Sequence, residues 1–163
     1  MEPGDPPSIR FMPGASMATR SKTRGPDRER LLGEWLGLLD GLLDEVDGWA
    51  QALDWSTRRI EKSMADSEVG RYQAPALLMQ REAARVLLEP IARETPGGGG
   101  LVDLYLLPAY DDIASLIHHD GAWHLHYPFP GSPPVGDVRQ AAGRPLTKGT
   151  LRAVLDEMVG HAA

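Results

Sequence analysis

The sequence predicts an α+β protein, with an N-terminal helical half packed on a small three-stranded antiparallel sheet and closed by a C-terminal helix. Three observations lead there. Apolar residues recur at helical spacing from Leu32 to Leu53, the hydrophobic period changes to two between Leu101 and Phe129, and Asp120-Gly121 separates two alternating runs, as in a tight hairpin.

With 163 residues the chain has the length of one ordinary domain, which we place at residues 27–163. It contains no cysteine, so disulfides, thiol catalysis and cysteine-type zinc clusters are excluded and a reducing, cytoplasmic location is expected. The net charge of -6 disfavours nucleic acid and anionic membranes. Leu31 to Leu53 is the most apolar helical stretch, yet it carries Glu34, Asp40, Asp44, Glu45 and Asp47. It is therefore read as a water-soluble helix, with no membrane association expected.

Residues 1–26 hold five prolines and three glycines, and few apolar side chains to offset the entropy of ordering. A disordered Pro/Gly-rich tail is expected there. Arg10, Arg20, Lys22 and Arg24 could touch a phosphate backbone, but with Phe11 as the only aromatic, nucleic-acid binding through this tail is a poor prospect.

The first helix is expected from Asp27, as N-cap, to about Asp66, with a break or new cap at Asp54 to Thr57. Leu32, Trp35, Leu39, Leu42, Val46, Trp49 and Leu53 are spaced 3-4-3-4-3-4, and Leu31, Leu36, Leu38 and Leu43 widen the stripe beyond a two-stranded seam. This is the pattern of a core helix rather than a dimer zipper. Gly33, Gly37, Gly41 and Gly48 lie behind it, each costing about 1 kcal/mol relative to alanine. Such a ridge reflects either a closely packed backbone or the glycine-rich composition of the chain. Arg58, Arg59 and Lys62 read as a solvated helix face that pairs with the acidic helix.

A second helix is expected over 75–94, with Pro75 in its first turn, Pro90 at its end, and Leu77, Ala84, Leu88 and Ile91 facing inward. Thr95 to Gly100 reads as a linker. A three-stranded meander over 101–129 follows, with strands at Leu101 to Leu107, Ile113 to His119 and Ala122 to Phe129. Residues 130–145 read as loop with a short strand at Asp137 to Gln140. The last helix, at about 147–160, has Thr147 as N-cap, Leu146 and Leu151 as a hydrophobic staple, and Leu151, Val154, Leu155 and Met158 inward.

The hairpin concentrates four of the five histidines. Strand parity puts His124 and His126 on the face opposite Trp123, Leu125 and Tyr127. A two-residue turn adds His119 to that face, and a three-residue turn adds His118 instead. With Asp103 on the neighbouring strand, His119, His124 and His126 make a candidate set for zinc or another divalent metal, which would support a small metal-dependent hydrolase. No metalloprotease-type helix motif accompanies them, and Ser115 opposite His126 is a coincidence of register. The adjacent pair Asp111 and Asp112 reads as a turn former. The preferred expectation is a non-catalytic acidic interaction protein without cofactor, an adaptor or accessory subunit whose partner is another protein or a second copy of itself. It would bind a protein partner through Trp35, Glu34, Asp40, Asp44 and Asp47 of the first helix.

Overall fold

The computed structural model describes residues 25–96 and 98–162. Among these the chain forms helix α1 (Gly25–Ala52), seven strands and helix α2 (Lys148–Ala162). The strands are β1 (Ser56–Asp66), β2 (Gly70–Arg81), β3 (Ala84–Ala92), β4 (Leu101–Leu106), β5 (Asp111–His119), β6 (Ala122–His126) and β7 (Gly143–Pro145). They make one antiparallel sheet in which every strand neighbours the next in sequence. The fold is α+β, but the three-stranded sheet of the sequence reading is overturned: β4, β5 and β6 are only the middle of a seven-stranded sheet. The expected tail lies, but for Gly25 and Pro26, outside the described residues. No described helix is long and apolar enough to cross a membrane.

α1 lies where the heptad spacing puts it. Trp35, Leu39, Leu42, Leu43, Val46 and Ala50 are buried, and the helix runs over β1 and β2. It stops at Ala52, not at Asp66. Asp54 takes a left-handed φ of 70°, and the Trp55 amide donates to the Ala50 carbonyl at 2.9 Å, which turns the chain back into β1. At the other end the Arg28 guanidinium donates to the carbonyls of Val69 and Arg71, fastening the start of α1 to the β1–β2 turn. The glycine ridge has no backbone against it; a Cβ at Gly33, Gly37, Gly41 or Gly48 would meet nothing within 4 Å.

The two helical expectations that fail, 56–66 and 75–94, do so for identifiable reasons. Ile60 and Met64 are four apart, which mimics a helix face, but β1 is an edge strand whose charged residues hide its alternation. Leu77, Ala84 and Leu88 are buried as expected, yet they belong to two strands: Leu77 pairs with Leu88, and the turn between them is Glu82-Ala83, with Glu82 at φ 55°. A non-glycine residue in that conformation gives the sequence no turn signal. Pro75 is not a first-turn proline. It sits in the part of β2 that pairs with β1 but not with β3, so its missing N–H breaks no ladder on that side. Pro90 lies at a register shift between β3 and β4, where a proline in a sheet is tolerated.

Both helices cover one face of the sheet. Leu77 and Met79 of β2, Val86 and Leu88 of β3, Val102 and Leu104 of β4, Leu116 of β5 and Leu125 of β6 form a single core with α1 and α2. Along β2 the period of two slips by one between Ala74 and Leu77, both core residues, so the far half of the β1–β2 hairpin curls under the start of α1. α2 buries Leu151, Val154, Leu155 and Met158 as expected, and the Thr150 amide donates to Thr147 Oγ1 at 3.1 Å, the expected cap. The Asp137 to Gln140 strand is instead a one-turn 3-10 helix, Val138–Gln140, with Asp137 and Gln140 in a capping box. It lies over the outer face of β5 and β6.

Candidate functional site

The outer face of the sheet, away from the helices, carries the residues singled out for chemistry. Asp120 and Gly121 have φ of 53° and 75°, as a two-residue type I′ turn requires, and His119 pairs with Ala122. This register puts His119, His124 and His126 on one face. Ser115 pairs with both His126 and Asp103, so Asp103 joins the same row.

Sharing a face does not bring these groups to a common point. The rings of His119 and His124 stack, with centroids 3.7 Å apart and planes 12° apart, so their nitrogens point edgewise in parallel rather than at one ion. His126 Nδ1 lies 2.8 Å from the Ala141 carbonyl, which can only accept, so Nδ1 carries the proton. Its Nε2 is buried without a partner under β7, where a Cβ on Gly143 would come within 3.2 Å. Asp103 is 4% exposed and its oxygens are already occupied. Ser115 Oγ donates at 2.7 Å, Tyr105 OH at 3.1 Å and Arg139 at 3.3 Å. Burial, and then the Asp103 charge, push the Tyr105 hydroxyl well above its ordinary value, so it stays a donor. Among the described residues, no three His, Asp or Glu side chains are arranged to hold a metal ion. Ser115 is fully buried and donates to Asp103, so its hydroxyl is not presented to a substrate.

This network staples the 3-10 turn onto the sheet. Arg139 crosses from the turn to Asp103 and divides the outer face into two shallow pockets. One, of about 640 Å³, lies between Thr95, Leu101, Ile117, His119 and His126; the other, of about 590 Å³, lies between Tyr110, Ile113, Val135 and Asp137. On the helix side of the hairpin, His118 packs edge-on against Trp123, and burial, then His119 and His124, hold its pKa below the usual imidazole value.

The partner-binding residues expected on α1 divide. Trp35 is 3% exposed: its indole donates to Tyr72 OH at 3.0 Å and its ring lies against Gly100, so it is a core residue and presents nothing to a partner. Asp44 pairs with Arg59, and Asp47 accepts from Thr57 and Gln51; these hydrogen bonds, Thr57 first, hold its carboxyl below the usual range. Both thus hold β1 to the helix. Glu34 pairs with Arg30 of its own helix, and Asp40 is exposed.

One surface was not found from sequence, because it depends on β1 being a strand. β1 ends the strand order and pairs with β2 over eleven consecutive residues without a bulge. Among the described residues its other backbone edge is open. Arg59 and Lys62 are matched by Asp44 and Glu89, whereas Arg58 and Arg85 have no carboxylate partner among the described residues. These two arginines, with Ser56, Thr57, Leu78 and Gln80, line a concavity of about 530 Å³ just inside that edge. No protein-family model, curated protein or solved structure matches the chain.

Proposed function

We propose that this protein is a non-catalytic binding module, an adaptor or accessory subunit, that takes an extended segment of a partner protein along β1. The observation that carries this is the asymmetry of the sheet's two edges. β7 is three residues long, ends in Pro145 and runs straight into the cap of α2, features that blunt an edge. β1 is eleven residues long, regular and free of proline. At about 3.3 Å per residue it offers an edge of roughly 36 Å, enough for about ten main-chain hydrogen bonds to an added strand. The histidine face supports this reading from the other side, since its acid, base and hydroxyl are used to hold the 3-10 turn in place.

The test is selection of dodecapeptides from a displayed random library against the full chain, followed by hydrogen exchange of the complex. Selected peptides are expected to slow exchange at Ser56–Asp66 and to lose binding when alternate backbone amides are N-methylated. Protection confined to the 113–126 hairpin or to α1, or indifference to N-methylation, would refute edge docking.

A further inference from the structure

We infer that the segment taken by β1 is acidic, and that Arg58 and Arg85 read its charge; this rests on the edge-docking reading above. On the outer face Arg58 of β1 pairs across to Leu78, and Leu78 to Leu87, while Ser56, Gln80 and Arg85 form the neighbouring cross-strand row. The two guanidinium groups therefore stand diagonally on either side of β2, over a floor of Leu78 and Gln80, in one concavity. A strand added to β1 places the side chain opposite Arg58 on this same face, because directly opposed residues of an antiparallel or parallel ladder share a side. A carboxylate there meets Arg58 directly, while Arg85, three strand spacings of about 4.8 Å away on β3, adds a longer-range attraction. The residue two positions along lies opposite Ile60, which is half-buried and favours an apolar neighbour.

The charge balance of the molecule makes this selective. The chain is acidic overall, at -6, so two adjoining basic groups that have no carboxylate partner among the described residues stand out against the general sign and orient an acidic segment toward β1. Arg59 and Lys62 do not add to the attraction, since Asp44 and Glu89 already match them.

The same sequence argues against a second copy of this chain as the occupant. A two-fold antiparallel pairing of β1 centred on Arg58, Arg59, Glu61 or Lys62 sets that charged residue opposite itself. Centred on Ile60, it sets Arg58 opposite Lys62 of the second copy, offset by Arg59 opposite Glu61, and centres at Ser63 or Met64, which oppose no like charges, pair at most seven of the eleven residues of β1. Like charges directly opposed destabilise a ladder. A heterologous acidic strand meets none of these conflicts.

The experiment uses the tightest library dodecamer that protects β1. We expect a Glu or Asp in its sequence two residues from an aliphatic one. Replacing that acid with its amide should weaken binding about tenfold or more, and the loss should vanish in the double variant Arg58→Gln, Arg85→Gln. Both arginines are exposed, so the variant should keep the wild-type circular dichroism spectrum, and Arg58→Lys, Arg85→Lys should restore most of the affinity. Raising the salt from about 0.05 to 0.5 M should shrink the acid's advantage, because the sites are solvent-exposed. Peptides that map to β1 with no acidic preference would overturn the charge assignment and leave edge docking standing. Peptides that keep their acidic preference in the double Gln variant would overturn the role of Arg58 and Arg85. Sedimentation showing a stable dimer that excludes the peptide would make a second copy the occupant and overturn the inference.

Discussion

Gly100 is the position where the chain has least room, and replacing it tests how α1 is held. A Cβ built there would lie 2.2 Å from Cζ3 and 2.6 Å from Cη2 of Trp35, far inside any contact distance. The indole cannot simply swing away, since Trp35 is 3% exposed and its Nε1 donates to Tyr72 OH at 3.0 Å. Gly100→Ala must therefore displace the ring. Overpacking of this kind costs about 1–3 kcal/mol, and losing the indole hydrogen bond adds about 0.5–1.5 kcal/mol, giving about 1.5–4.5 kcal/mol in all. Urea unfolding followed by far-UV circular dichroism should show this as a lowered midpoint at unchanged slope, and thermal unfolding as a drop of roughly 5–15 °C. A cycle with Trp35→Leu sharpens the test. Leucine lacks both clashing atoms, so Gly100→Ala should cost little in that background and the coupling should exceed about 1.5 kcal/mol. Strict additivity, or a Gly100→Ala cost below about 0.5 kcal/mol, would refute the packing assigned to Trp35.

Replacing Gly37 and Gly41 together by alanine should stabilise the protein by about 1–2 kcal/mol, because a Cβ at either meets nothing within 4 Å and alanine is the better helix former; an unchanged or lowered unfolding midpoint would mean the ridge is covered in solution. His161 pairs with Asp112, whose hydrogen bond and then charge raise the imidazole pKa. A raised folded-state pKa gives stability that is fully present below the unfolded value of about 6.5 and is lost as pH climbs through the folded one. With the side chain 53% exposed, screening limits the effect, so His161→Ala should cost less than about 1 kcal/mol near pH 5.5 and nothing near pH 9. A penalty that grew with pH would reverse the assignment. Zinc added to tag-free protein should leave the unfolding temperature unchanged, since His119, His124 and His126 share a face but no vertex; a rise of several degrees, abolished by His124→Ala, would restore a metal site there.

What the sequence reveals is governed by whether local signals agree with the environment each strand occupies. The Asp120-Gly121 hairpin was legible because turn chemistry and alternation coincide, and with them the face shared by His119, His124 and His126. The stripe of α1 was legible because Trp35, Leu39, Leu42 and Val46 must all meet one core. The β2–β3 hairpin was not. Ala76, Leu77, Leu78 and Met79 are good helix formers, both faces of this stretch are largely covered, and Glu82 makes its turn without glycine or asparagine. A signal was present in Ala84, Val86 and Leu88, three buried residues at period two, but Leu87 between them is buried as well and masks the alternation. The alternation of β1 is hidden in the sequence because charged residues stand on both of its faces, Arg59 reaching α1 and Lys62 reaching β3.

In the edge-docking proposal the surface for a partner lies on the sheet and not on the helix. The acidic flank of α1, read as free for docking, spends Asp44 on Arg59 and Asp47 on Thr57, and both contacts run to β1. Each individual contact is weak in water, the ion pair contributing under about 1 kcal/mol because Asp44 is largely exposed. Together with Trp35 on Tyr72 of β2 and Arg28 on the β1–β2 turn, they fasten the β1–β2 hairpin along nearly the whole length of the helix. An edge left to fray would lose its backbone register and could not template another strand. Rigidity of β1 is what an added strand requires, because a partner that also had to order the edge would forfeit about 1–2 kcal/mol for every residue fixed. If β1 takes a strand as proposed, the acidity of α1 serves binding indirectly, by holding β1 straight while, among the described residues, Arg58 keeps no carboxylate partner.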